Sequence, residues 1–98
     1  MTPRPRHASQ RDANQQEIVD ELRRCGYFVY DISGWCPWAD IITYGLDIRT
    51  NEDEIRIFEI KTPEGKLTKT ERDFQRDHPG MVQTVRCLGD CLMSYGRV

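Results

Sequence analysis

Asp40, Glu59 and Lys61 are two acids and an amine spaced so that a single hairpin would bring them together. Residues 40–61, DIITYGLDIRTNEDEIRIFEIK, read as two β-strands folded on one turn, with Asp40 opening the first and Glu59-Ile60-Lys61 closing the second. With the turn centred between Thr50 and Asn51, Asp40 faces Lys61, Ile42 faces Glu59 and Tyr44 faces Ile57, all on one sheet face. Directly opposed side chains lie about 5 Å apart and diagonal ones about 7–8 Å, so Asp40 and Glu59 could share one cation. Two carboxylates held close together repel, and a divalent cation or a neighbouring lysine offsets that cost. The chemistry this set suggests is metal-assisted phosphodiester hydrolysis.

The same register puts Asp47 opposite Glu54, roughly 23 Å from Asp40 and on the other face. Asp47 and the Glu52-Asp53-Glu54 tip are therefore expected at the solvent end of the hairpin. On the second strand Ile55 and Ile57 lead on one face to Glu59 and Lys61, where further apolar residues would continue the pattern. Such local violations often mark function. Taken alone, Glu-x-Lys is common in strands and reads equally as a solvated hairpin end.

Several elements must hold this hairpin. Ile18, Val19, Leu22 and Cys25 recur at helical spacing, giving a first helix over 13–25 that Gly26 stops. Asp12 or Asn14 is its N-cap candidate, with Gln15 or Glu17 three residues on. YFVYDI (27–32) is aromatic and β-branched and forms a first strand; SGWCPW (33–38) is a loop that delivers the chain to Asp40. Strands over 40–48 and 53–61 make the hairpin, with Gly45 marking a bulge or bend. After the TPEGK turn, Thr68-Lys69-Thr70-Glu71 is a capping box that opens a second helix, ended by His78-Pro79-Gly80. MVQTVRCL (81–88) is a fourth strand, and DCLMSY (90–95) is a candidate terminal helix.

Ninety-eight residues, 38% hydrophobic and 31% charged, supply one small globular domain over 12–98 and exclude disorder throughout. No apolar run approaches membrane-spanning length. Residues 1–11 are a basic arm with two prolines and Arg4, Arg6 and Arg11, and no apolar stretch follows to make it a signal peptide. The expected location is cytoplasmic. A net charge of −2 argues against a simple nucleic-acid coat, but the distribution is uneven. The arm and the segment carrying Lys61, Lys66, Lys69, Arg72 and Arg76 flank an acidic centre, an order suited to holding phosphates at a rim and a cation in the middle. Solvated helix faces would give the same charge pattern. Cys25, Cys36, Cys87 and Cys91 contain no CxxC pair and read as reduced structural residues rather than a zinc site.

The chain resembles the PD-(D/E)XK nuclease superfamily and, within it, a stand-alone VRR-NUC domain of phage and bacterial type. The residues carrying the likeness are Asp12-Ala13-Asn14-Gln15, Ile18-Val19, Leu22-Arg23 and Gly26, then Asp40, Glu59-Ile60-Lys61, Leu67-Thr68, Glu71, Phe74 and Gly80. The resemblance implies an α/β restriction-endonuclease-like core, in the order α-β-β-β-α-β, with a mixed central sheet flanked by helices. It implies a DNA nuclease using Mg²⁺ or Mn²⁺, with Asp40, Glu59 and the backbone carbonyl of Ile60 as metal ligands. Lys61 would position or help deprotonate the attacking water, or stabilise charge on the phosphate. The first-helix site residue is left between Asn14 and Glu17, and Glu71 is a capping partner or an accessory polar residue. Trp35 and Trp38 could stack on an unpaired base or anchor their loop, and Lys66 and Lys69 would meet the DNA backbone. A structure-selective endonuclease acting on branched or flapped DNA, as a homodimer, is the leading expectation. The rival is a catalytically silent nucleic-acid-binding or assembly module on the same fold.

Overall fold

Residues 41–60 form the expected antiparallel pair, with its register displaced by two. In the computed structural model, which describes residues 9–97, strand β2 (Ile41–Asp47) pairs with β3 (Glu52–Ile60) so that Ile42 meets Ile57, Tyr44 meets Ile55 and Asp47 meets Glu52. The expected pairs Asp40–Lys61, Ile42–Glu59, Tyr44–Ile57 and Asp47–Glu54 do not form. The cause is that the four-residue connection spans 48–51, one residue earlier than the expected 49–52. The N–H groups of Thr50 and Asn51 both donate to the Asp47 carbonyl, and Asn51 takes a left-handed φ of 61° that asparagine tolerates. Because side chains alternate with a period of two, a displacement of two leaves each one on its expected face.

Asp47 is the larger correction, because it is buried rather than solvent-facing. Its Oδ2 accepts from Arg56 Nη2 at 2.7 Å and Arg49 Nη2 at 2.8 Å, and its Oδ1 accepts from the Arg49 backbone N–H at 2.9 Å. The Arg49 side-chain hydrogen bonds and both arginine charges hold its carboxyl at about 2, against the upward push of desolvation. Asp47 thus clamps the closed end of the hairpin, far from the opposite end where the candidate site lies.

The remaining elements are α1 (Ser9–Arg24), β1 (Phe28–Asp31), α2 (Lys69–Asp77), β4 (Val82–Val85) and α3 (Leu88–Ser94). The sheet order is β1-β2-β3-β4, antiparallel except for the parallel β3–β4 pair that α2 connects, so the fold is α/β with a mixed sheet. Helix α1 starts at Ser9, ahead of the expected residue 13, since no breaker stands between Ser9 and Asp12. It ends in a Schellman cap: Gly26, at φ +96°, donates to the Arg23 carbonyl and Tyr27 donates to that of Leu22. Strand β4 is shorter than expected because the Asp90 side chain accepts from the Arg86 N–H and turns the chain into α3.

Packing divides the sheet into two unequal faces. One is covered by α1 and α3 and holds the main core: Ile18, Leu22, Val29, Ile41, Phe58, Val85, Cys91 and Tyr95. The Tyr95 hydroxyl is buried there, 2.7 Å from Thr43 Oγ1, and donates to the Glu54 carbonyl. The other face carries a smaller cluster in which Phe74 of α2 and the 32–39 loop pack on Ile42, Ile57 and Val82. All four cysteines are free, and burial pushes the Cys91 thiol up to about 12. Among the described residues no helix is long and apolar enough to cross a membrane.

Gly45 makes no bulge, since pairing runs through it without interruption. Its role is to admit Tyr27, whose Cδ1 lies 2.2 Å from where a Cβ would stand. Gly45→Ala is expected to destabilise the fold by about 1–3 kcal/mol through overpacking. A chemical denaturation midpoint equal to that of the unmodified chain would show that the ring moves aside freely.

Candidate active site

The open end of the hairpin gathers charge from three elements. Asp40 follows the 32–39 loop and is locked at the start of β2: its N–H donates to the Phe58 carbonyl and its own carbonyl accepts from Ile32, both at 2.9 Å. Continuing the observed register by one step sets Asp40 beside Glu59, and Glu59 is in turn paired with Thr84 on β4. The two acids are therefore directly opposed neighbours rather than the diagonal pair expected. Asp40 Oδ2 accepts the Ile60 N–H at 2.7 Å, which fixes the carboxylate against β3. Lys61 continues the strand by donating its N–H to the Val85 carbonyl, and strand alternation returns its side chain to the face of Glu59.

Helix α2 closes the group from above. Thr68 and Glu71 form the reciprocal capping box, with Thr68 Oγ1 accepting the Glu71 N–H and Glu71 Oε1 accepting the Thr68 N–H at 2.8 Å. That same Oε1 lies 2.9 Å from Lys61 Nζ, and Nζ lies 3.0 Å from Glu59 Oε2. Glu71 is thus both a cap and a member of the charged cluster. Its sequence signal was its spacing from Phe74: residues i and i+3 share a helix face, so the face that packs Phe74 also carries Glu71 to the sheet. One turn further on, Gln75 Nε2 donates to Thr84 Oγ1 at 3.1 Å, extending the polar row beyond Glu59.

These groups are almost sealed from water. Asp40, Glu59, Lys61 and Glu71 are each at most 7% exposed. Desolvation, a hydrogen bond with Glu71 and repulsion from Asp40 together push the Glu59 carboxyl up to about 8, although Lys61 pulls it down. Desolvation also works against charge on Lys61 and Glu71. On Lys61 the hydrogen bonds to Glu71 and Glu59 prevail and raise its pKa; on Glu71 those to Glu59, Lys61 and Thr68 prevail and lower its pKa. The result is an ionised Glu71, a charged Lys61 and a Glu59 that retains a proton near neutrality. A carboxyl–carboxylate hydrogen bond of this kind records an excess of negative charge in the cluster.

Other residues singled out in the sequence lie elsewhere in the fold. Asn14 and Glu17 line a cavity of about 240 Å³ with Ile18, Glu21, Arg86, Cys87 and Leu88. Among the described side chains of α1 the buried polar one is Gln15, which donates to Ser33 Oγ at 3.2 Å; Ser33 donates to Asp31. Trp38 stacks on Phe74 with ring centroids 3.9 Å apart, and Phe74 stacks on His78, so this indole anchors the loop before Asp40. Trp35 is the exposed member of the pair. Lys66 is solvent-facing and Lys69 is paired with Asp73 at 2.7 Å. Arg4 and Arg6 lie outside the described residues, as does the Arg11 side chain.

Among the described residues no group of three or more His, Cys, Asp or Glu side chains is arranged to hold a metal ion. Two carboxylates are present side by side, and magnesium takes one or two carboxylates while keeping several waters for substrate oxygens to replace. The donor set fits a cation of that kind: three acids lie together with one lysine that pairs with only two of them, Glu59 and Glu71, and Glu59 compensates for the excess by keeping its proton. Comparisons with protein-family models, with curated proteins and with solved structures gave no match.

Proposed function

We propose that this chain is a divalent-metal-dependent nuclease that hydrolyses DNA phosphodiesters, on a restriction-endonuclease-like core of the PD-(D/E)XK superfamily and VRR-NUC type. The observation that carries this reading is the buried cluster in which Lys61 pairs with Glu59 and Glu71 beside Asp40, at one end of a hairpin whose opposite end is clamped shut. Asp40, Glu59 and the backbone carbonyl of Ile60 would hold Mg²⁺ or Mn²⁺. A strand residue directs its N–H and C=O to the same side, so the Ile60 N–H bonded to Asp40 brings its carbonyl to that side also. When bound, the metal would lower the pKa of a coordinated water and offset the charge developing on the phosphate.

The chain's own residues supply the rest. Lys61 is held as an ammonium by Glu59 and Glu71, so it does not act as the base. It stabilises negative charge on the phosphate and orients the water. Lys66 and Arg72 on the α2 side, with the exposed Trp35, offer contacts for phosphates and an unstacked base, which favours branched or flapped DNA as substrate. Asp40→Asn keeps an oxygen for the Ile60 N–H while removing the charge. Cleavage of a flapped duplex in Mg²⁺ is expected to fall by about 10²–10⁴-fold in this variant, with the melting temperature little changed. Cleavage at an equal rate would sink the assignment.

A second reading is favoured by one observation, the near-complete burial of all four charged residues. In that case the cluster is a structural ionic core and the chain is a nucleic-acid-binding or assembly module that performs no hydrolysis. The same assay separates the two: the module binds DNA and leaves it intact in both proteins.

A further inference from the structure

Lys61 and Glu71 come from different elements, and the largely exposed connection over 62–68 has to set their separation. Its first part is a turn, closed by the Gly65 N–H on the Thr62 carbonyl at 3.0 Å. Thr62, Pro63, Glu64 and Gly65 bring little apolar surface to bury, so packing alone does not fix them. Arg86, just past the end of β4, does. Its Nη1 donates to the carbonyls of Thr62 at 2.6 Å and Gly65 at 2.7 Å, with that of Pro63 at 3.3 Å. The residue before it, Val85, accepts the Lys61 N–H at 2.9 Å, and the Arg86 N–H is held by Asp90 at 2.8 Å. Two consecutive residues thus grip the backbone of Lys61 and the turn that follows it.

The geometry points to Arg86 as a positioning residue of the proposed nuclease: by caging the turn at 62–65 it fixes Lys61 on β3 relative to Glu71 on α2, and so holds the Lys61 ammonium in place for the phosphate. This role rests on the nuclease reading of the cluster. The second half of α2 has ties of its own, Phe74 in the apolar cluster and Gln75 on Thr84. Its first turn, which carries Glu71, depends on the connection that Arg86 holds. The acceptors are neutral carbonyls, so the arginine fixes a shape rather than cancelling an acid, and charge-assisted hydrogen bonds make that hold a firm one. Nη1 is committed to the turn, so the effect of Arg86 belongs to the rate of cleavage rather than to the grip on DNA.

Single-turnover cleavage of a flapped duplex at saturating Mg²⁺ tests this, with affinity for the duplex measured separately in chelator. Arg86→Met keeps most of the stem and removes the donors. Its cleavage rate is expected to fall by about 10–100-fold, because a misplacement of about 1 Å costs on that order, while affinity stays within about twofold. Arg86→Gln, which keeps a donor on a shorter stem, should show a smaller fall of the same kind, and it carries the comparison if circular dichroism shows Arg86→Met unfolded. Arg97→Ala is the control. Arg97 donates to the Cys25 carbonyl and lies over the Tyr27 ring, whose hydroxyl meets Leu46 at the clamped end of the hairpin. Its loss should lower the melting temperature and leave the rate unchanged. Equal rates in the unmodified chain and in every folded Arg86 variant overturn the proposal. So does a loss confined to affinity, which would make Arg86 a phosphate contact, or an Arg97→Ala chain slowed as much as Arg86→Met, which would mean general loosening. An unmodified chain that does not cleave removes the nuclease reading and this role with it, whereas cleavage indifferent to Arg86 removes this role alone.

Discussion

Lys61→Met is expected to abolish cleavage and to destabilise the fold, and the two losses are separable. Lys61 is the one cation in contact with Glu59 and Glu71 among the described residues, at 3.0 and 2.9 Å, and it is buried with them. Methionine has similar reach but no charge, so it leaves two acids facing each other out of reach of water. Removing one partner of a buried ion pair costs about 3–5 kcal/mol, although uptake of a proton by Glu59 would relieve part of this. Loss of a charge that stabilises the transition state lowers the rate by about 10²–10³-fold. Pairing Lys61→Met with Glu71→Gln removes the stranded carboxylate, and the double variant should regain most of the stability while cleavage stays lost. Denaturation and single-turnover cleavage, measured on the unmodified chain, Lys61→Met, Glu71→Gln and the double variant, form the necessary cycle. If cleavage returns with stability, Lys61 is a scaffold residue and the chemistry lies elsewhere.

That cycle depends on Glu71, whose position was partly legible in the sequence. The Thr68-x-x-Glu71 box is a local motif, and it formed as read, as did the Gly26 stop of α1. What local motifs do not carry is the second partner of a residue. Glu71 Oε1 accepts from Thr68 nearby in sequence and from Lys61 across the fold, and only the packing of α2 on the sheet supplies the latter. Asp47 was misread for the same reason: next to an acidic tip it looks solvated, but Arg56 comes from the opposite strand and Arg49 folds back on it. The hairpin register depended on the same clamp. The loop closed on the Asp47 carbonyl spans 48–51 and centres between Arg49 and Thr50, one residue before the expected centre, and a shift of one in the centre moves the pairing by two. Faces survived this error because alternation is indifferent to a shift of two, which is why Asp40, Glu59 and Lys61 still came together. On α1, helical spacing marked the buried face, but it did not distinguish Asn14 or Glu17, which line a cavity, from Gln15, which is buried.

Glu59 should give the protein an unusual stability profile, in which it weakens as pH rises through neutrality. Its carboxyl is raised from 4.5 to about 8 in the folded state, chiefly by desolvation and then by Glu71 and Asp40. Between those values the folded chain holds a proton that the unfolded chain has released, so stability falls with increasing pH. The contribution is fully present below about 4.5 and is gone above about 8. Glu71, whose pKa is lowered, acts in the opposite sense at more acidic pH, and Asp47, held at about 2, does the same. Lys61 is raised from 10.5 and loses its contribution only in more alkaline solution. Among the described residues the near-neutral window therefore belongs to Glu59. Melting temperatures in chelator should decline from about pH 5 to about pH 8 in the unmodified protein. They should be nearly level in Glu59→Gln, which keeps the shape and cannot ionise. Magnesium competes with that proton for the same oxygens, so added Mg²⁺ should restore stability most strongly at the alkaline end and release protons into weakly buffered solution. An identical decline in Glu59→Gln would remove the cluster as its cause, and an unmodified protein indifferent to Mg²⁺ at every pH would count against the metal site itself.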